Sequence, residues 1–183
     1  GPQTEQLARD AVEAGAIGHV SGPRIRDELL DLLAERSAVV ALESMNALGL
    51  DRALNEQFEA DEYLAARALN EHVDGVRQDL LLLALCSRSM SEAGLNTWLE
   101  ELALGRKAAR IVEQAVARGP SLIAELAATT APSEFAAALS GLNIETLVFA
   151  LALPGGERES YDALRTWLAD RSRGQLEISG ADL

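Results

Sequence analysis

The chain has 183 residues and a formal net charge of −13, from 29 acidic and 16 basic side chains, and 48% of it is hydrophobic. That hydrophobic share excludes a disordered chain, and a uniformly acidic surface repels nucleic acid, whose phosphates must be neutralised by cations. No apolar run approaches the roughly 18 residues of a membrane-spanning helix, and no basic leader precedes an apolar core, so a cytoplasmic location without a membrane partner is expected.

Gly1-Pro2 reads as the remnant of a cleaved tag. Leu7, Ala11 and Ala14 then share one side of a helix over Thr4–Ala14 that Gly15 ends. Ser21 is placed to cap the next helix, with Pro23 in its first turn, where a missing N–H costs nothing. Ile25, Leu29, Leu32 and Leu33 recur at helical spacing and mark its buried stripe. Val39, Val40, Leu42 and Leu48 predict a helix over Ser37–Leu48, ended by Gly49. Leu50–Leu54 makes a short turn anchored by Phe58, and Asp61 caps a helix that fades between His72 and Gly75. Val76–Cys86 is apolar on most faces and rich in leucine rather than β-branched residues, which predicts a central buried helix.

Ser91 caps a helix through Leu99, and a longer one runs from about Leu104 to Arg118, where Gly119-Pro120 is expected to stop it. Ser121–Ala128 is then a separate short helix, and Thr129–Pro132 is the best linker candidate. Ser133 is expected to cap a helix through Leu139, Ile144–Leu153 forms another, and Tyr161, Leu164, Trp167 and Leu168 define an amphipathic helix to about Arg171. Only Gln175–Ile178 suggests extended chain. The fold class is therefore all-α, an irregular elongated array of about ten helices with short loops.

Independent chemistry is sparse. Cys86 lies inside the apolar run and reads as a core thiol. His19 and His72 form no metal-binding spacing, and no phosphate loop, zinc pattern or nucleophile elbow occurs. Asp27 and Asp31 lie one turn apart, as a shared cation would need, but an exposed acidic helix face is the commoner outcome, so no metal ligand and no catalytic residue is assigned. The acidic residues are spread, 16 within positions 1–90 and 13 within 91–183, which leaves room for a local basic stripe. The compact basic group is Arg106, Lys107 and Arg110, helped by Arg118. Arg106 and Arg110 share a helix face and can straddle a nucleic-acid backbone; alternatively they form a solvated face that balances nearby acids. Arg24, one turn before Glu28, can form a local ion pair with it, and Arg26 can meet Glu28 or a neighbouring helix.

Three phrases carry a resemblance. Ser21-Gly-Pro-Arg-Ile-Arg-Asp-Glu-Leu29 resembles the Ser-Gly-x-Arg-Ile-x-x-Glu-Leu helix opening of the tRNA nucleotidyltransferase and poly(A) polymerase family, with Pro23 where an acidic residue is commoner. Ala41–Leu50 resembles that family's short helix ending in Gly-Leu, and Leu176–Leu183 resembles its Gly-x-Asp-Leu signature. Their order along the chain is the family's order.

The resemblance implies a neck-like helical region over residues 3–90 and a body-like region over 91–183, with continuity between them left open. It also implies that Arg24 and Arg26 support the catalytic head or lie near its nucleotide, and Arg106, Lys107 and Arg110 are the candidates for contact with the RNA backbone. The family's metal-binding carboxylates lie in a mixed α/β head with a Gly-Gly-x-x-Arg-Asp segment, and nothing of that kind precedes residue 21. The expectation is therefore an RNA-positioning fragment, inactive alone and needing no cofactor itself, of an enzyme that adds CCA or poly(A) to a tRNA or other RNA 3′ end. Nucleoside triphosphate and Mg2+ would be used by the head, and RNA binding by the fragment alone is expected to be weak or nil. The competing reading is an acidic all-helical scaffold or protein-interaction domain.

Overall fold

The computed structural model describes residue 18 and residues 20–179, of which 172–179 are described by backbone alone. The expected Thr4–Ala14 helix, His19 and the last four residues of the Gly-x-Asp-Leu phrase lie outside the described residues. Among the described residues there are ten helices and no strand: α1 (Gly22–Ala34), α2 (Ala38–Leu48), α3 (Leu50–Leu54), α4 (Glu62–Leu69), α5 (Gln78–Cys86), α6 (Glu92–Glu101), α7 (Arg106–Ala127), α8 (Pro132–Leu139), α9 (Ile144–Ala152) and α10 (Arg158–Ser179). No single described helix is long and apolar enough to cross a membrane.

Local signals set most boundaries. Asp61, Ser91 and Asn143 accept the amide hydrogens of Leu64 (2.9 Å), Gly94 (3.1 Å) and Thr146 (2.8 Å), capping α4, α6 and α9. Gly49, at φ +70°, ends α2 in the left-handed conformation and lets α3 start at once. Ser21 occupies the N-cap position of α1 but its hydroxyl makes no cap; its carbonyl instead accepts from Arg24 and Ile25, both at 3.0 Å.

Four further local expectations fail. The Gly119-Pro120 pair does not stop a helix, and Ser121–Ala128 is the second half of α7. Proline disfavours helical geometry in the preceding residue partly through that residue's Cβ, which Gly119 lacks. Pro120 sits on the exposed side, while Val112, Ala115, Gly119, Leu122, Ile123 and Leu126 keep one buried face continuous through the pair. Ser133 is not the cap of α8, because Pro132 is already helical and Ala131 holds the N-cap position. Residues 175–178 are helical rather than extended, since α10 continues to Ser179. Val40 is 61% exposed, on the outer face of α2.

Two apolar cores form. The first gathers Leu29 and Leu33 of α1, Leu42 of α2, Phe58, Leu64 of α4, the whole Leu80–Cys86 run of α5 and Trp98 of α6. The second is built by Leu122 and Leu126 of α7, Leu139 of α8, Leu147 and Leu151 of α9, and Leu164 and Leu168 of α10. Thr129–Pro132 is thus a short surface connection between two helices of the second core rather than a linker between units. α7 and α9 serve both cores: Val112, Ala115, Val148 and Phe149 face the first.

Candidate nucleic-acid interface

The opening of α1 is fastened to the end of α6. A Cβ on Gly22 would overlap the backbone carbonyl of Glu101, so glycine is what permits this approach. Arg26 secures the same junction: its Nη1 donates to the Ala103 carbonyl at 2.8 Å while its Nε donates to Asp27 at 2.8 Å. Ala103 is held at φ +50° in the loop that leads directly into α7. Arg26 therefore meets neither Glu28 nor a neighbouring helix but a loop carbonyl. Arg24 is exposed and forms no ion pair with Glu28; both border an apolar groove floored by Ile25, Leu29, Leu32 and Met45.

Beyond that loop the starts of three helices border one cleft of about 850 Å³. Gly105 and Arg106 come from the start of α7, Asn143 and Ile144 from α9, and Arg77 from the N-cap position of α5. Helix N-termini carry partial positive charge and suit anions. The first turn of α7 has no acidic residue and no side-chain cap. Arg106 and Lys107 line the cleft and, among the described residues, have no ion-pair partner. Arg110 is exposed on the same helix but does not line it. Arg118 is withdrawn from the basic group, because its guanidinium pairs with Glu125 at 2.9 Å. The Ser121 hydroxyl, with Arg118, holds that Glu125 carboxyl below its ordinary range.

Two cleft cations escaped the sequence reading. Arg77 is pinned by Asp79 through contacts of 3.0 and 2.5 Å, which push its guanidinium further above its ordinary value. Arg171 reaches the cleft from α10, its guanidinium 5.5 Å from the Trp167 ring centroid. Only the Trp167/Arg171 spacing of four residues gave a local hint of the second; bringing it beside Arg77 and Arg106 is the work of the fold. Against these cations stand Asp74 and the buried Glu145, whose Oε1 accepts the Arg77 amide hydrogen at 2.9 Å.

The other chemistry-bearing residues are placed as structural groups. Burial pushes the Cys86 thiol up to about 12, which keeps it protonated. His72 is exposed in a turn at φ +49°. Among the described residues no three His, Cys, Asp or Glu side chains gather as a metal site would require. Asp27 is paired with Arg26, and Asp61 caps α4 while its other oxygen pairs with Arg88 at 2.9 Å.

Residues 1–61 match the family model described as the probable RNA and SrmB-binding site of polymerase A. The stretch contains two of the three family-like phrases, including the Gly22 and Arg26 junction. Solved structures of a CCA-adding enzyme share the fold: the complex with CTP superposes with a TM-score of 0.74 over 98% of this chain at 19% identity, and the complex with ATP with 0.72 over 90% at 20%. This chain matches a family model of polymerase A over its first third and shares the fold of CCA-adding enzymes.

It spans 45% and 41% of the lengths of those two structures. An apo form of a CCA-adding enzyme matches equally well, with a TM-score of 0.72 over 94% of this chain and 42% of its own length, at 19% identity. No curated protein sequence matches the chain. At such identities the likeness to CCA-adding enzymes is one of fold, and it includes α7 to α10, which the family model does not reach.

Proposed function

We propose that the chain is the RNA-positioning neck and body of a template-independent RNA nucleotidyltransferase, one that adds CCA or poly(A) to a tRNA or other RNA 3′ end. The observation that carries this reading is the placement of Arg106 and Lys107. They have no ion-pair partner among the described residues and line a cleft beside the loop that the family-like helix α1 anchors through Gly22 and Arg26. In this reading α1 sets the geometry of the α6–α7 loop, and that loop presents the basic start of α7 to the RNA backbone. Arg26 supports that loop, Arg24 remains free to meet a neighbouring part of the parent enzyme, and Arg110 extends the basic face along α7.

Nucleotide transfer belongs to other parts of the parent protein in this proposal. Magnesium would polarise the phosphoryl oxygens of the nucleoside triphosphate in such a reaction. The described residues do not fit that ion, since no three of their His, Cys, Asp or Glu side chains gather as its ligands would.

The test is protection of side chains by tRNA. With tRNA in large excess at 50 mM salt, which compensates for weak binding by the chain alone, Arg106 and Arg110 should be shielded from phenylglyoxal and Lys107 from acetylation. Three phosphate contacts predict that binding falls roughly 40-fold when salt is raised to 200 mM. Unaltered modification, or protection indifferent to salt, would favour the acidic scaffold instead.

A further inference from the structure

A duplex backbone lying across a basic face needs no cavity, because double-stranded RNA is contacted through its phosphates and 2′-hydroxyls over a broad surface. The cleft at the start of α7 is a cavity, and at about 850 Å³ it falls within the ~300–1,000 Å³ typical of sites for small organic ligands. It is far larger than a lone phosphate requires.

Its lining is divided in chemistry. Ile111, Leu142 and Ile144 supply apolar surface, Arg106 and Lys107 supply positive charge without an ion-pair partner among the described residues, and Asp74 and Glu145 supply carboxylates. Arg77 differs from the other cations. Its charge is answered by Asp79, yet its side chain stays 59% exposed, and the two contacts to Asp79 fix the guanidinium plane. A planar guanidinium held in place and still accessible is a platform for stacking a base. Arg171, already lying over the Trp167 ring, offers a second platform.

We infer that this cleft receives a single unpaired nucleotide unit of an RNA strand. Its phosphate is met by Arg106 and Lys107, and its base rests on the apolar lining and the Arg77 guanidinium. The carboxylates select among nucleotides by charge. They accept hydrogen bonds from base N–H groups, and they disfavour a triphosphate, which brings several negative charges beside Asp74 and Glu145. The inference rests on the RNA-facing reading above and adds to it a preference for unpaired over paired RNA.

The experiment titrates the 183-residue chain, observed through assigned amide resonances at low salt, with four probes: a blunt RNA hairpin, the same hairpin with a three-nucleotide single-stranded extension, CMP and ATP. The extended hairpin should bind roughly tenfold more tightly than the blunt one, the contribution of a stacked base, and should shift Gly75, Ile111, Leu142 and Ile144. CMP should shift the same amides more weakly, and ATP should bind no better than CMP. Arg77→Lys, which retains the charge beside Asp79 but loses the planar face, should remove the preference for the extension and leave the salt dependence unchanged. Equal binding of the two hairpins overturns the unpaired-nucleotide inference while leaving the RNA-facing reading intact. Tighter binding of ATP than of the extended hairpin also overturns it, in favour of a free nucleotide. A folded chain whose resonances move with none of the four probes even at millimolar excess, where weak binding would be seen, removes both readings.

Discussion

At the residue scale, the family-like phrase at Ser21–Leu29 divides into residues that pack and residues that remain available. Gly22 packs: its missing Cβ is what allows α1 to reach the Glu101 carbonyl, a backbone atom that cannot rotate away. Gly22→Ala would ordinarily gain a little helix propensity, at most about 1 kcal/mol, but the overlap forces α1 off α6 at a cost of about 1–3 kcal/mol. A net loss of stability is therefore expected in urea denaturation, and a variant as stable as the parent would show that the approach is not tight. Arg26 is committed to the Ala103 carbonyl, whereas Arg24 is exposed beside an apolar groove. The sequence could locate these arginines on one helix but not choose between their roles, because the partner carbonyl lies 77 residues away. The cleft was legible in part for the same reason. Arg106 and Lys107 are adjacent and stand out, while Arg77 and Arg171 join them only once four helices have packed.

At the element scale, helix identity was largely legible because the buried stripes repeat at helical spacing and two caps, Asp61 and Ser91, carry the expected side chains. Boundaries failed where tertiary burial outweighed a local stop signal, as at Gly119-Pro120, or where capping came from an unexpected side. α8 shows the second case. Ala131 has no side-chain acceptor, and the start of the helix is held instead by Glu134, which accepts from the Thr130 amide (2.8 Å), the Thr130 hydroxyl (3.1 Å) and the Ala131 amide (3.2 Å). These bonds, the Thr130 amide foremost, hold the Glu134 carboxyl below its ordinary range. A carboxyl with a lower value folded than unfolded contributes stability above its unfolded value, about 4.3, and loses that contribution as pH falls through the folded value. Thermal melts of the parent chain should thus decline below about pH 4.3 more steeply than those of Glu134→Gln, whose amide keeps the shape but does not titrate. Parallel acid limbs in the two proteins would sink the assignment.

At the scale of the whole molecule, the question is whether a chain read as neck and body behaves as two units or one. The two cores are distinct in composition, but they are not carried by separate helices. α7 runs through both, with Val112 and Ala115 in the first and Leu122 and Leu126 in the second, and α9 turns Val148 and Phe149 to one and Leu147 and Leu151 to the other. Gly119 sits where the two helices close on each other, its missing Cβ giving room to the Phe149 ring. Arg67 of α4 adds a polar clasp, donating to the Ala152 carbonyl at 2.6 Å and to that of Leu151 at 3.2 Å at the far end of α9. Unfolding the second core alone would strip half of α7 and α9 and expose the first, so intermediate states should be poorly populated. The two tryptophans allow a direct check, because Trp98 is buried in the first core and Trp167 packs against the second. Trp167→Phe leaves a reporter for the first core and Trp98→Phe one for the second. In each variant the urea transition seen by fluorescence should coincide with that seen by far-ultraviolet circular dichroism. A fluorescence transition for Trp167 that precedes loss of helix, with Trp98 following later, would instead divide the chain into two cores that fold independently.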